Sequence, residues 1–336
     1  MTGTRYSPRI VEWTTTAVSV GIVLLFLTGS TSAAPARPSA PGATYALTEI
    51  AGPSPVTENL VSGLVWDPEL GHEVALSFNA AGTLGTYELV GAKWKELRTG
   101  TPQVQQAPCY ATPYLAYDAS DRYLVLLTAV SNCGLKLWEY SGTHWTYVSV
   151  GHSAPASDGD ASPGLMYDSE SGTLLLYAGD FGYCDCATGE IFSYHAGTWT
   201  QLPNAPVGAD LQNLVDNPGI GKLVALGNLE EAWTSHDGTW SRLWFHPPIY
   251  FTNTYPITYD PAIGGLLVAG NTYTNSCPGQ CYWLWKAGSN GFINITAKTL
   301  NPSVACDGAS YDPLLSAVVC VGSPNATPPY GIWEFT

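Results

Sequence analysis

Ser162-Pro-Gly-Leu-Met-Tyr167-Asp-Ser-Glu-Ser-Gly172-Thr-Leu-Leu-Leu-Tyr177-Ala-Gly-Asp180, followed after a polar loop by Ile191-Phe-Ser-Tyr194-His-Ala-Gly197-Thr-Trp-Thr-Gln-Leu202, reads as four short strands. Asp168 to Gly172 is turn chemistry between the first two, and His195-Ala-Gly197 is a tight turn between the last two. The run from Thr173 to Tyr177 is apolar along its whole length, which predicts a strand buried on both faces. No segment after residue 43 carries a helical period of useful length.

The same unit recurs around it. Turns sit at Trp66-Asp67, Tyr117-Asp118, Tyr167-Asp168, Val215-Asp216, Tyr259-Asp260 and Tyr311-Asp312, so the aspartates are 51, 50, 48, 44 and 52 residues apart. A seven-residue aromatic step follows five of them: Tyr87 to Trp94, Trp138 to Trp145, Phe192 to Trp199, Trp233 to Trp240 and Trp285 to Phe292. A hairpin explains the step. It puts one ring on the third strand and one on the fourth, both facing the same neighbour. A four-stranded sheet cannot bury both faces alone, so repetition at this period predicts sheets stacked radially around a channel. The expected fold is all-β, a six-bladed propeller of four-stranded antiparallel blades.

The sixth unit ends at Trp333-Glu-Phe335 without a fourth strand. The stretch Ala43-Thr-Tyr-Ala-Leu-Thr-Glu-Ile50 reads like Gly197-Thr-Trp-Thr-Gln-Leu202, with Tyr45 in the place of Trp199. It is expected to complete the last blade and leave no open edge. The order of strand, glycine, loop, aromatic and tryptophan, with the Gly-Thr-Trp-Thr-Gln-Leu ending, resembles the Kelch-type repeat over residues 44–336. The family's Gly-Gly pair is reduced here to Ala178-Gly179, Leu226-Gly227, Ala269-Gly270 and Val321-Gly322. The resemblance implies a propeller of a functionally mixed, secreted or cell-surface kind.

Residues 1–34 are a different polymer. Arg5 and Arg9 precede the apolar core Ala17 to Leu27, then Gly29-Ser-Thr-Ser-Ala33 follows, the order of a signal peptide with cleavage after Ala33. An uncleaved anchor is the other reading. A Pro/Ala-rich spacer, residues 35–43, leads into the repeats. Net charge is −15, which repels nucleic acid and anionic lipid. Eight cysteines fit an oxidising compartment. Cys109 and Cys133 are placed at one end of adjacent strands. Cys184 and Cys186 share a loop, as do Cys277 and Cys281, while Cys306 and Cys320 belong to the last blade about three residues out of register. Zinc is the rival reading for the closely spaced pairs. Asn294-Ile-Thr296 and Asn325-Ala-Thr327 are glycosylation sequons.

Alternating strands put the long connections at one end of the ring and the tight turns at the other. Binding residues are expected at the long-loop end. Glu58, Asp158, Asp160, Asp210 and Asp307 precede first strands there, and converge either as a Ca²⁺ site or as a solvated acidic rim. Trp244, Phe245, His246, Tyr250, Phe251 and Tyr255, with Phe181, Tyr183, Tyr273 and Tyr282, supply rings for a carbohydrate or protein surface, or else cover the blade tops. The six turn aspartates are expected to be turn formers. His195 and His236 occupy equivalent hairpin turns. No Gly-x-Ser-x-Gly, His-Glu-x-x-His or phosphate loop occurs. The leading expectation is a binding module for a glycan or another surface protein. The alternative is a glycan-active hydrolase or lyase using the channel-mouth acids.

Overall fold

A computed structural model of the 336-residue chain describes residues 45–51, 60–78, 84–97, 114–129, 135–148, 161–180, 190–195, 197–206, 211–220, 222–227, 232–243, 256–270, 281–286, 288–296, 299–300, 304–324 and 331–336. The proposed signal segment, residues 1–34, and the spacer lie outside them.

The strands follow the repeat. β1 (Tyr45–Ala51) comes first in the chain but belongs to the sheet of the last blade. Blade 1 is β2 (Leu60–Asp67), β3 (His72–Phe78), β4 (Leu84–Val90) and β5 (Lys93–Leu97). Blade 2 is β6 (Tyr114–Asp118), β7 (Tyr123–Ala129), β8 (Leu135–Tyr140) and β9 (Trp145–Val148). Blade 3 is β10 (Ala161–Asp168), β11 (Thr173–Asp180), β12 (Glu190–His195) and β13 (Thr198–Leu202), and blade 4 is β14 (Leu211–Asn217), β15 (Lys222–Gly227), β16 (Ala232–His236) and β17 (Thr239–Arg242). Blade 5 is β18 (Ile257–Asp260), β19 (Gly265–Gly270), β20 (Cys281–Lys286) and β21 (Ile293–Asn294). A short β22 (Thr299–Leu300) follows. Then come β23 (Val304–Asp312), β24 (Ala317–Pro324) and β25 (Gly331–Phe335) of blade 6. The inner strands β2, β6, β10, β14, β18 and β23 pack each against the next, and β23 against β2, so the ring closes. Six blades of four antiparallel strands make a β-propeller.

The second strands explain the stacking. Leu124 and Leu126 of β7 point toward blade 1, while Val125 and Leu127 point toward blade 3. In β11, Leu174 and Leu176 serve one seam and Leu175 and Tyr177 the other. Six apolar clusters fill the six seams between blades. The stepped aromatics of a blade face one neighbour, as expected, and that neighbour is the preceding blade. Trp138 and Trp145 lie against blade 1, Phe192 and Trp199 against blade 2, and Trp233 and Trp240 against blade 3. In blade 5 the third-to-fourth turn is two residues longer than in blade 3, so Phe292 sits beside Trp285 and Trp283 takes the inner position of Phe192.

The clasp forms. β1 pairs antiparallel with β25, with Leu47 opposite Phe335, and Ala46 and Thr336 exchange backbone hydrogen bonds at 3.0 and 3.1 Å. The expected register is two residues off. Leu47, not Tyr45, holds the position of Trp199, because Phe335 is the counterpart of Tyr194. Tyr45 instead stacks on Phe335 with centroids 5.4 Å apart. β22 adds a fifth, parallel strand outside β1.

Leu47 is buried in the blade 5–6 seam. Leu47→Ala is expected to lower stability by about 2–4 kcal/mol in denaturant unfolding, far more than a change at exposed Glu49.

Candidate functional site

At the long-connection end the described residues centre on blade 6. Cys306 and Cys320 form a disulfide with Cα atoms 5.7 Å apart. The apparent register conflict is resolved by a bulge at Asp307. Cys306 pairs with Gly322 and Gly308 with Val321, so the cysteines sit diagonally on one face. Gly322 has to be glycine: a Cβ there would stand 2.1 Å from the Ala305 carbonyl oxygen. Cys281 is also disulfide-bonded, so it offers no thiolate to zinc. Its partner lies among the cysteines outside the described residues, as do Cys109, Cys133, Cys184, Cys186 and Cys277.

Asp307 is the member of the acidic set within the described residues. Glu58, Asp158, Asp160 and Asp210 lie outside them. The bulge takes Asp307 out of the ladder on the innermost strand, near the end away from the Asp312 turn. Its carboxyl is accessible to solvent, yet crowded by protein that displaces bulk water, and this desolvation pushes it up to about 6. That is a carboxylic acid able to hold a proton close to neutral pH.

Tyr282 corrects an expectation. It is 1% exposed, and its hydroxyl donates to the Val304 carbonyl oxygen at 2.5 Å. Its ring stacks near Phe335 inside the blade 5–6 seam, because β20 is buried on both faces. It is a core residue and offers no surface to a ligand. Trp244, Phe245, His246, Tyr250, Phe251, Tyr255, Tyr183 and Tyr273 lie outside the described residues. Of the sequons, Asn294 is exposed on the outermost strand of blade 5, while Thr296 is buried and its hydroxyl accepts the Tyr282 N–H at 2.9 Å.

The opposite end is built from capped turns. Asp67 accepts N–H bonds from Glu69 and Leu70 at 2.9 and 3.1 Å, and Asp312 from Leu314 and Leu315 at 2.7 and 3.1 Å. Asp118, Asp168 and Asp260 do the same. These are turn formers, as expected.

Asp216 is the exception. β14 and β15 pair Asn217 with Lys222, as β10 and β11 pair Asp168 with Thr173, so Asn217 is the turn residue. Asp216 therefore stands where the other blades carry Trp66, Tyr117, Tyr167, Tyr259 and Tyr311. Those side chains reach back to the preceding blade: the Tyr167 hydroxyl meets Ser120 Oγ at 3.0 Å, for example. Asp216 reaches back too, accepting the Ser169 N–H at 3.2 Å, and burial raises its carboxyl.

Beside it, three exposed groups from two blades converge. His236 Nδ1 is 2.7 Å from Glu170 Oε1, and His236 Nε2 is 3.6 Å from Asp237 Oδ2. One ligand-type atom from each lies within 4.8 Å of the others. The sequence placed His236 in an exposed hairpin turn, and it is there. Nothing in the sequence paired it with Glu170, because only ring stacking sets the third hairpin of one blade over the first turn of another.

No protein-family model matches the chain, and no curated protein does. The Kelch resemblance therefore stays at the order of its motifs. Solved structures share the fold. One is the SapL1 lectin in complex with alpha-methyl fucoside, at 12% identity and a TM-score of 0.50 over 82% of this chain and 90% of that one. The Penicillium chrysogenum alpha-L-arabinanase complexed with arabinobiose matches at 12% identity and 0.53, over 88% and 98%. A gluconolactonase from Xanthomonas campestris matches at 10% and 0.53, also over 88% and 98%.

Three outcomes are expected. Replacing Cys306 and Cys320 with alanine should cost about 3 kcal/mol, read by denaturation under oxidising conditions, with no effect of reductant attributable to this pair. Carboxyl NMR should show Asp307 titrating near 6. The folded carboxyl lies above its unfolded value of 3.8, so its contribution to stability is full below that value and is lost as pH rises through about 6. Asp307→Asn should flatten the stability profile across that window.

Proposed function

We propose that the protein is a secreted or surface-tethered propeller that binds glycans at its long-connection end, with another surface protein as the second partner class. The observation that carries this reading is the ring's asymmetry. Every connection between blades leaves from one end, while the described turns at the other end are short, and five of them are capped by their own aspartates. A rigid ring with its long connections gathered at one end is a platform for recognition. Carbohydrate is the favoured ligand class because proteins of this fold include a lectin with a bound fucoside and an arabinanase with a bound disaccharide. Fold alone does not decide function. Disulfide bonding at Cys281, Cys306 and Cys320 supports an oxidising compartment, in keeping with an export signal in residues 1–34.

A second reading rests on Asp307. A carboxyl held near 6 on the inner strand is suited to donate a proton to a glycosidic oxygen, which would make the chain a glycan-active hydrolase or lyase.

Glycan-array and pull-down screens, run beside a reducing-sugar release assay, separate the two. Binding without turnover, retained in Asp307→Asn, is the expected result. Silence in both screens together with turnover that Asp307→Asn abolishes would replace the binding reading with the enzymatic one.

A further inference from the structure

The second strands share a buried position directly after their first residue. It holds Leu124, Leu174, Leu223, Leu266 and Val318 in blades 2 to 6, each packed in the seam toward the preceding blade. In blade 1 it holds Glu73. This glutamate is 1% exposed, and neither carboxyl oxygen has a hydrogen-bond partner among the described residues. The seam it faces is the one between blade 6 and blade 1, where the ring closes.

The described groups around Glu73 offer an anion little: the nearby Ser310 hydroxyl favours the charged form, but burial and Asp312 outweigh it. Across the seam β23 presents Asp312 and Ser310. The Ser310 hydroxyl accepts the Trp66 N–H at 3.1 Å and falls short of bonding geometry to Glu73. On its own sheet Glu73 pairs with Trp66 on β2 and Leu89 on β4. Its strand neighbour His72 points to the other face, opposite Asp67. Glu88 on β4 also belongs to that other face, where Lys95 binds it at 2.5 Å, so that cation is already engaged. An ionised carboxylate here would be dry, unpaired and beside a second carboxylate.

We propose that Glu73 is a proton-held latch on the ring-closing seam: the blade 6–blade 1 contact is tight while Glu73 is protonated and loosens when it ionises against Asp312. Burial, with Asp312 adding to it, holds the folded carboxyl well above the 4.5 of a free glutamate. The native ring therefore keeps a proton that the unfolded chain releases. Its stabilising share is full below about 4.5 and is lost as pH rises through the folded value. The ring is thus firmest in acidic surroundings.

The test is hydrogen exchange on the propeller at pH 5 and pH 8, corrected for the intrinsic pH dependence of exchange, with thermal melts alongside. Wild type should lose about tenfold more protection in β2, β3 and β23 than in β10 and β11 for each unit that pH rises between about 4.5 and the folded value of Glu73, and no more beyond it. Glu73→Gln and Glu73→Leu, the second restoring the repeat residue, should abolish this excess and raise the melting temperature at pH 8 more than at pH 5. If only one variant folds, that one decides. Equal protection loss in all blades of the wild type, or unchanged pH dependence in the variants, would overturn the latch. So would failure of both variants to fold, since the carboxyl would then be a structural requirement and not a switch.

Discussion

The second strand of every blade is buried on both faces, and the rest of the molecule follows from that. Strands such as Leu174-Leu-Leu-Tyr177 have no polar side to give to water. Each sheet must be covered twice, and a row of such sheets stops exposing apolar surface only when the last covers the first. Radial stacking, the closed ring and the clasp by Tyr45–Ala51 are consequences. The aromatic step serves the same end. It widens each blade toward its outer edge so that Trp145, Trp199 and their counterparts fill the gap that diverging sheets leave.

Because the repeat is so regular, its departures carry the information. Two stand out, and both exchange a seam residue of the repeat for a carboxyl. Asp216 replaces an aromatic that elsewhere reaches back to the preceding turn, and it finds a backbone N–H to accept. Glu73 replaces an aliphatic and finds no hydrogen-bond partner among the described residues. The first substitution keeps its seam stitched by another route. The second makes the seam depend on a proton. Their difference lies in the donors available across each gap.

Much of this was legible beforehand. The blade count, the strand order and the role of the N-terminal strand followed from spacing and apolar runs. Turn aspartates were recognisable because Asp, a short turn and glycine recur together. Registers were less legible. Tyr45 looked equivalent to Trp199 because both are aromatic in a similar short motif, but hydrogen bonding aligned Leu47 with it instead. Val215-Asp216 looked like the other turns because an aspartate sat at nearly the right interval, yet the asparagine beside it makes the turn. Tyr282 looked like a loop ring because it follows a long polar stretch, and it proved to begin a strand buried on both faces. In the first two cases local chemistry resembled the repeat while pairing shifted it, by two residues along the same face at Tyr45 and by one residue onto the other face at Asp216.

What the chain's order of residues determined by itself is the architecture, since period, alternation and turn chemistry are local quantities written along it. Tertiary structure alone decided which distant residues meet. Glu170 beside His236, Glu73 against Asp312 and Cys306 diagonal to Cys320 each require a seam or a bulge whose geometry is set only when neighbouring strands pack. Protonation follows the same division: a carboxyl's preference for its proton depends on the water removed around it, and that is known only once the blades have closed.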